Sequence, residues 1–172
     1  MLSYVSLKLT DGIRPSVLEV AIHVACKIGQ ISRSGKSIGT IIMLGDSVEV
    51  RKGAKQLIPN PFQGHADADR RLTNCGTQNT LVELSKLDGA FVLRGDGFIQ
   101  TAGTFLATFD VEVKIPPGFG ARHLAAAAVA KRTAATAIVV SATDGHVRAF
   151  SGGTMVLQLD PKVPYDLMVG DQ

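Results

Sequence analysis

Two short stretches carry residue types able to do chemistry together. The first is Gly118-Phe119-Gly120-Ala121-Arg122-His123, which runs directly into Leu124-Ala125-Ala126-Ala127-Ala128-Val129-Ala130-Lys131-Arg132. Pro116 and Pro117 block a helix just before it. The glycines allow a tight turn with the backbone close to a ligand, and the alanine run is among the strongest helix formers. The stretch reads as a glycine loop that opens a helix, with Arg122 and His123 in its first turn. Free backbone N–H groups and the positive end of the helix dipole point out of such a start. Arg122 adds a planar fork of donors matched to phosphate oxygens. The chemistry is anion binding, phosphate above all. Out of context the same residues also read as plain capping, with a solvated arginine and a histidine bonded to a carbonyl.

The second stretch is Leu87-Asp88-Gly89-Ala90-Phe91-Val92-Leu93, a strand entered through an acidic turn. Asp88 admits two readings. It is a carboxylate placed to bind a divalent ion beside a reacting hydroxyl, or a turn aspartate bonded to its own backbone. Gly89 and Ala90 suit a close approach of backbone to ligand and equally a tight strand entry. Leu106, after Ala102-Gly103-Thr104-Phe105, reads as a core leucine or as an apolar wall. Of the other histidines, His23, His65 and His146 form no ligand spacing with acids or with one another, and His65 is placed at most on a site rim.

Taken as an ordered pair, Asp-Gly-Ala and then Gly-x-Arg-His before a small-residue helix resemble the diadenylate cyclase domain. This is the family that joins two ATP molecules into cyclic di-AMP, and it includes the DNA-integrity-scanning and archaeal-type cyclases. The resemblance extends through Thr136–Ser141, Asp144-Gly145 and His146–Phe150, and back to Ile38–Gly45 and Asn60-Pro61-Phe62. It implies that Asp88 binds the metal, Mn²⁺ or Mg²⁺, and assists the attacking 3′-OH. Gly89 and Ala90 would lie beside the nucleotide, with Leu106 against the adenine. Gly120, Ala121, Arg122 and His123 would hold the triphosphate, with Ser141 near the phosphates. Because the product contains two nucleotides, the resemblance also implies a homo-oligomer whose sites meet face to face.

Three departures stand out. The common family motif reads Gly-Thr-Arg-His-Arg, and here Ala121 replaces the threonine and Leu124 the second arginine. An acid usually follows the serine, and here that residue is Ala142, with Asp144 two residues on as a candidate substitute. A second reading follows from the missing acid: a binding module that holds ATP or cyclic di-AMP with little or no turnover.

The elements that must position these residues follow from periodicity. Ile13–Gln30 has helical apolar spacing at Val17, Val20, Ala21, Val24, Ala25 and Ile28, with Pro15 in the first turn and Asp11 as its cap. Ile38–Gly45 reads as a buried strand, with Asp46-Ser47 capping a short helical turn after it. Thr77–Leu87 reads as a helix with Leu81, Leu84 and Leu87 inward. Three hairpins follow, around Gly95-Asp96-Gly97, Asp144-Gly145 and Gly152-Gly153, the preferred short turns. Helices that precede and interrupt hairpins predict a single α/β domain over 1–172 with a mixed sheet flanked by helices. Within it, 1–36 is expected to be an N-terminal helical segment and 165–172 a loose tail.

Composition agrees with one core: 172 residues, 45% hydrophobic and 19% charged. A net charge of +3 is too small to indicate nucleic acid as the main partner, though it favours an anionic ligand. No apolar run reaches the length of a membrane span, and Met1-Leu2-Ser3-Tyr4 does not begin a signal peptide. Cys26 and Cys75 have no CxxC spacing, as expected of a reduced, cytoplasmic protein.

Overall fold

The computed structural model describes residues 3–8 and 12–170, the first six and the last three of these as backbone only. In chain order the elements are β1 (Ser3–Lys8), α1 (Pro15–Ile31), β2 (Thr40–Leu44), α2 (Ser47–Arg51), β3 (Lys55–Gln56), α3 (Cys75–Leu84), β4 (Ala90–Leu93), β5 (Ile99–Phe105), α4 (Ala121–Arg132), β6 (Thr136–Val140), β7 (Val147–Ser151), β8 (Thr154–Leu159) and β9 (Tyr165–Gly170). A short π-helical turn, Ser32–Lys36, and a 3₁₀ turn, Asp67–Arg70, complete the list.

The main sheet has seven strands in the order β3-β5-β4-β2-β6-β7-β8. Only β2 and β4 run parallel, and the other neighbours are antiparallel. The expected mixed sheet is therefore present, with the three hairpins as β4–β5, β6–β7 and β7–β8. Strand side chains alternate between faces, and both faces of this sheet are covered. Ile42, Leu44, Phe91, Leu93, Ile138 and Val140 pack with Val17, Leu18, Ala21 and Ile22 of α1 in one core. Ile41, Met43, Ala90, Val92, Val139 and Phe150 pack with Ala126, Ala127, Val129 and Ala130 of α4 in the other. The alanines of α4 bring that helix close against the sheet, which fixes where its first turn lies.

Long side chains secure the ends. Arg132, at the last turn of α4, donates to the carbonyls of Ala107 (3.0 Å), Glu49 (2.7 Å) and Val50 (3.1 Å). Asn60 ties its loop to β5, donating to Gln100 O at 2.8 Å and accepting from Ala102 N, while Phe62 sits in the core. The Asn60-Pro61-Phe62 stretch thus lies along β5, continuing the sheet edge that β3 begins.

Several expectations need correction. The segment 1–36 is not helical throughout, because β1 precedes α1. Residues 165–170 are not a loose tail: β9 pairs in parallel with β1, Ser3 opposite Tyr165 through Lys8 opposite Gly170. Asp11 lies outside the described residues, and α1 begins after Arg14 with no side-chain cap. Asp46 adopts a left-handed conformation, and its Oδ2 accepts from Ala134 N at 2.8 Å rather than capping α2. Leu87 falls beyond the end of α3 and is exposed, so only Leu81 of the three leucines is fully buried.

Candidate active site

Asp88 and Arg122 come from different elements and meet at one point. The backbone reason begins with Gly89, whose φ is +101°. A Cβ there would stand 2.6 Å from the carbonyl carbon of Gly103 on β5. Only glycine lets the chain turn against β5 and enter β4 directly, and this turn projects Asp88 from the sheet. Arg122 is held from the other side. Gly120 is the N-cap of α4 in extended conformation, and Ala121, Arg122 and His123 form the first turn. A Cβ on Gly39 would lie 3.3 Å from Nη1 of Arg122 and 2.9 Å from the Ala142 methyl. The guanidinium therefore lies across a position that needs glycine.

Nη2 of Arg122 is 3.4 Å from Oδ1 of Asp88. The same oxygen accepts from Gly89 N at 2.9 Å, so the turn bond expected of an aspartate does form. Oδ2 of Asp88 has no hydrogen-bond partner among the described residues. The carboxylate is anchored by one oxygen and presents the other to solvent.

Three cavities meet at Arg122, and Asp88 lines two of them. One, of about 460 Å³, is lined by Ile41, Leu57, Ala90, Leu106 and Ala125, with Asp88, Gly89, Ala121 and Arg122 at its polar end. It is the apolar recess that a planar base requires. A second, of about 240 Å³, lies between the glycine loop and the β6–β7 turn, lined by Gly118 to His123, Ser141 to Asp144, and Arg148. A third, of about 440 Å³, is lined by Lys36, Gly39, Lys86, Asp88 and Arg122. Arg122 lines all three, and Asp88 lines the first and third.

The structure thus sorts the sequence candidates. Asp88, Gly89, Ala90, Leu106, Ala121 and Arg122 share the apolar cavity. Gly120, Ala121, Arg122, His123 and Ser141 share the loop cavity. His65 lines none of the three. His123 is not an exposed cationic partner. It is buried, stacked on Phe119 with ring centroids 4.7 Å apart, and edge-on to Phe150. Burial first, then the neighbouring Arg148 guanidinium, pushes its pKa down to about 4, so the imidazole is neutral at pH 7.

Arg148 is the residue that sequence reasoning missed. It is buried on β7, and its guanidinium holds Asp144 by Nη2 to Oδ2 at 2.7 Å and Nη1 to Oδ1 at 3.3 Å. Oδ1 of Asp144 also accepts from His146 N at 3.0 Å. Although burial opposes it, the Arg148 pair and these hydrogen bonds hold the Asp144 carboxyl well below the usual carboxylate range. Asp144 is thereby committed to Arg148. Among the described residues no three His, Cys, Asp or Glu side chains cluster as a ready-made metal site. No helix among them is long and apolar enough to cross a membrane.

The chain is similar to known proteins in sequence and in fold. The model of a family described as DisA bacterial checkpoint controller nucleotide-binding (DAC) matches residues 27–155. A diadenylate cyclase of Methanocaldococcus jannaschii is 39% identical over 159 residues, covering 92% of this chain and 50% of that protein. A diadenylate cyclase of Haloferax volcanii is 39% identical over 149 residues, covering 86% of this chain and 54% of that one. The chain spans about half the length of these relatives. Among solved structures, a protein of Bacillus cereus described as hypothetical and membrane spanning matches with TM-score 0.58 at 21% identity, over 81% of this chain and 61% of that chain. A double mutant of DacA from Staphylococcus aureus matches with TM-score 0.54 at 15% identity, over 86% of this chain and 89% of that one. These two likenesses are of fold. With a family model matched over most of its length, and relatives alike across nearly all of it, this chain belongs to the diadenylate cyclase (DAC) family.

Proposed function

We propose that the chain condenses two ATP molecules into cyclic di-AMP, releasing two pyrophosphates. The observation that carries this reading is the meeting of Asp88 and Arg122 where an apolar recess joins a helix-start cavity. An adenine fits the recess between Leu106, Ile41 and Ala90, with Gly89 allowing the ribose near the backbone. The phosphates run toward Gly120, Ala121, Arg122 and Ser141, where free N–H groups and a guanidinium balance their charge.

In the reaction, the 3′-OH of one nucleotide attacks the α-phosphorus of the other. A new P–O bond forms, the bond to pyrophosphate breaks, and the hydroxyl proton leaves. Positioning and charge neutralisation supply most of the rate in such transfers. Asp88 orients the hydroxyl and draws on its proton through Oδ2. Arg122 holds the phosphate and, being 3.4 Å from Asp88, keeps that carboxylate aimed at the junction. A divalent ion, Mn²⁺ or Mg²⁺, brought in with ATP would be held on the protein side by the Asp88 carboxylate, which stands beside the phosphate seat. When bound, it neutralises charge on the phosphate oxygens. Each protomer holds one ATP, so two protomers meet face to face for the bonds to form.

The binding-module reading keeps the same pose without turnover, and it is favoured by Ala142 in place of an acid and by the commitment of Asp144 to Arg148. Synthesis by the wild type decides between the two, and Asp88→Asn tests the role of Asp88. The swap is nearly isosteric, so the fold and ATP binding are expected to persist while synthesis falls by at least about a hundredfold. A folded variant with wild-type turnover removes Asp88 from the chemistry. No synthesis by the wild type, with ATP still bound, supports the binding module.

A further inference from the structure

An arginine in the middle of a strand covered on both faces needs an explanation. Arg148 stands opposite Val139 on β6 and Gln158 on β8, and its side chain is 6% exposed. Asp144 alone would balance its charge. Yet the guanidinium also donates through Nε to Gln158 Oε1 at 3.0 Å and points Nη1 at His123 Nε2, 3.4 Å away. It lies 4.6 Å over the ring of Phe119, which is itself stacked on His123. One side chain thus ties the glycine loop, the first turn of α4 and the β6–β7 turn, which are the walls of the loop cavity.

The chemistry of the His123 contact has one outcome. A guanidinium does not give up its proton and has no acceptor, so the nitrogen that faces it must present a lone pair. That nitrogen is Nε2. A neutral imidazole carries one proton, which is left to Nδ1. Nδ1 has no hydrogen-bond partner among the described residues, and His123 lines the cavity with Ser141 and Arg122.

We propose that Arg148 is a positioning residue: it fixes His123 as the neutral Nδ1–H tautomer, so that this proton is offered to a phosphate oxygen, and it braces the glycine loop against the β6–β7 turn. The inference rests on the reading of this cavity as the phosphate seat. Its first test does not.

Protein with ¹⁵N-labelled histidine is examined by NMR without nucleotide. In the wild type His123 is expected to show a protonated Nδ1, a bare Nε2 and a titration near 4, as burial and the Arg148 cation dictate. In Arg148→Gln the cation is gone and the Asp144 carboxylate is left facing the ring. Both changes raise the His123 pKa, and the tautomers should mix. Arg148→Lys keeps the charge but lacks the fork that reaches Asp144 and His123 together, so the tautomers should mix there as well. ATP binding by calorimetry should weaken about 10- to 100-fold in both variants, the scale of one lost charge-assisted hydrogen bond.

A wild-type His123 protonated on Nε2 overturns the proposal, as does an unchanged tautomer in the variants. Unchanged ATP affinity in a variant whose tautomer has mixed overturns the role of the Nδ1 proton. If Arg148→Gln does not fold, the wild-type spectrum and Arg148→Lys decide. A wild type that binds no ATP removes the phosphate seat and with it the offered proton, while the spectra alone judge the hold on His123.

Discussion

At the scale of single residues, the site is a matter of which polar atoms are spent and which are free. Asp88 spends Oδ1 on Gly89 N and Arg122 and keeps Oδ2. Asp144 spends both oxygens on Arg148. Sequence reading singled out Asp88 and Arg122, because glycines beside them mark turns and because the ordered pair of stretches resembles the family's motifs. It did not find Arg148. In Val147-Arg148-Ala149-Phe150 an arginine reads as the outward residue of an alternating strand, and β7 has no outward face because α4 covers it. Nor did it show that His123 is buried and neutral. That burial has a pH consequence. The folded-state pKa of about 4 lies below the ordinary 6.5, so the unfolded chain binds a proton first as pH falls. The contribution of His123 is complete above 6.5 and is lost as pH drops from 6.5 toward 4. Urea midpoints should therefore fall between pH 7 and pH 5, and His123→Gln should flatten that fall. An equal drop in the variant would assign the effect to other groups.

At the scale of elements, the turn chemistry and the apolar periods were the legible part. The Gly95-Asp96-Gly97, Asp144-Gly145 and Gly152-Gly153 turns sit in the three hairpins, and the alanine run is α4. The β1–β9 pair was not legible. Its strands join Ser3 to Tyr165 across nearly the whole chain, and six-residue runs near the ends carry little local signal. The parallel β2–β4 contact, likewise, depends on which edges meet and not on either strand alone. The element most exposed to mutation is the Asp88 turn. Gly89→Ala would place a methyl 2.6 Å from backbone at a φ of +101°. The backbone cannot step aside as a side chain can. Destabilisation of about 1–3 kcal/mol is expected, together with a loss of synthesis larger than the folding defect explains, since Asp88 moves with the turn. A thermal midpoint equal to wild type would show that the turn relaxes freely.

At the scale of the whole molecule, one chain presents one junction, and the proposed product needs two. The rim of the apolar cavity carries Leu57, 49% exposed, and Phe105, 58% exposed, with Leu87 and Leu124 also exposed nearby in sequence to Asp88 and Arg122. A face-to-face pair would cover such side chains. Phe105→Glu should then lower the dimer fraction in sedimentation and lower synthesis with it, while the monomer stays folded. Unaltered self-association would move the interface elsewhere. The account as a whole stands or falls on the product. The wild-type protein, incubated with ATP and Mn²⁺ or Mg²⁺, should yield cyclic di-AMP and pyrophosphate in a ratio of one to two by chromatography. Pyrophosphate without cyclic di-AMP, or ATP recovered intact under every divalent ion tried, would contradict it.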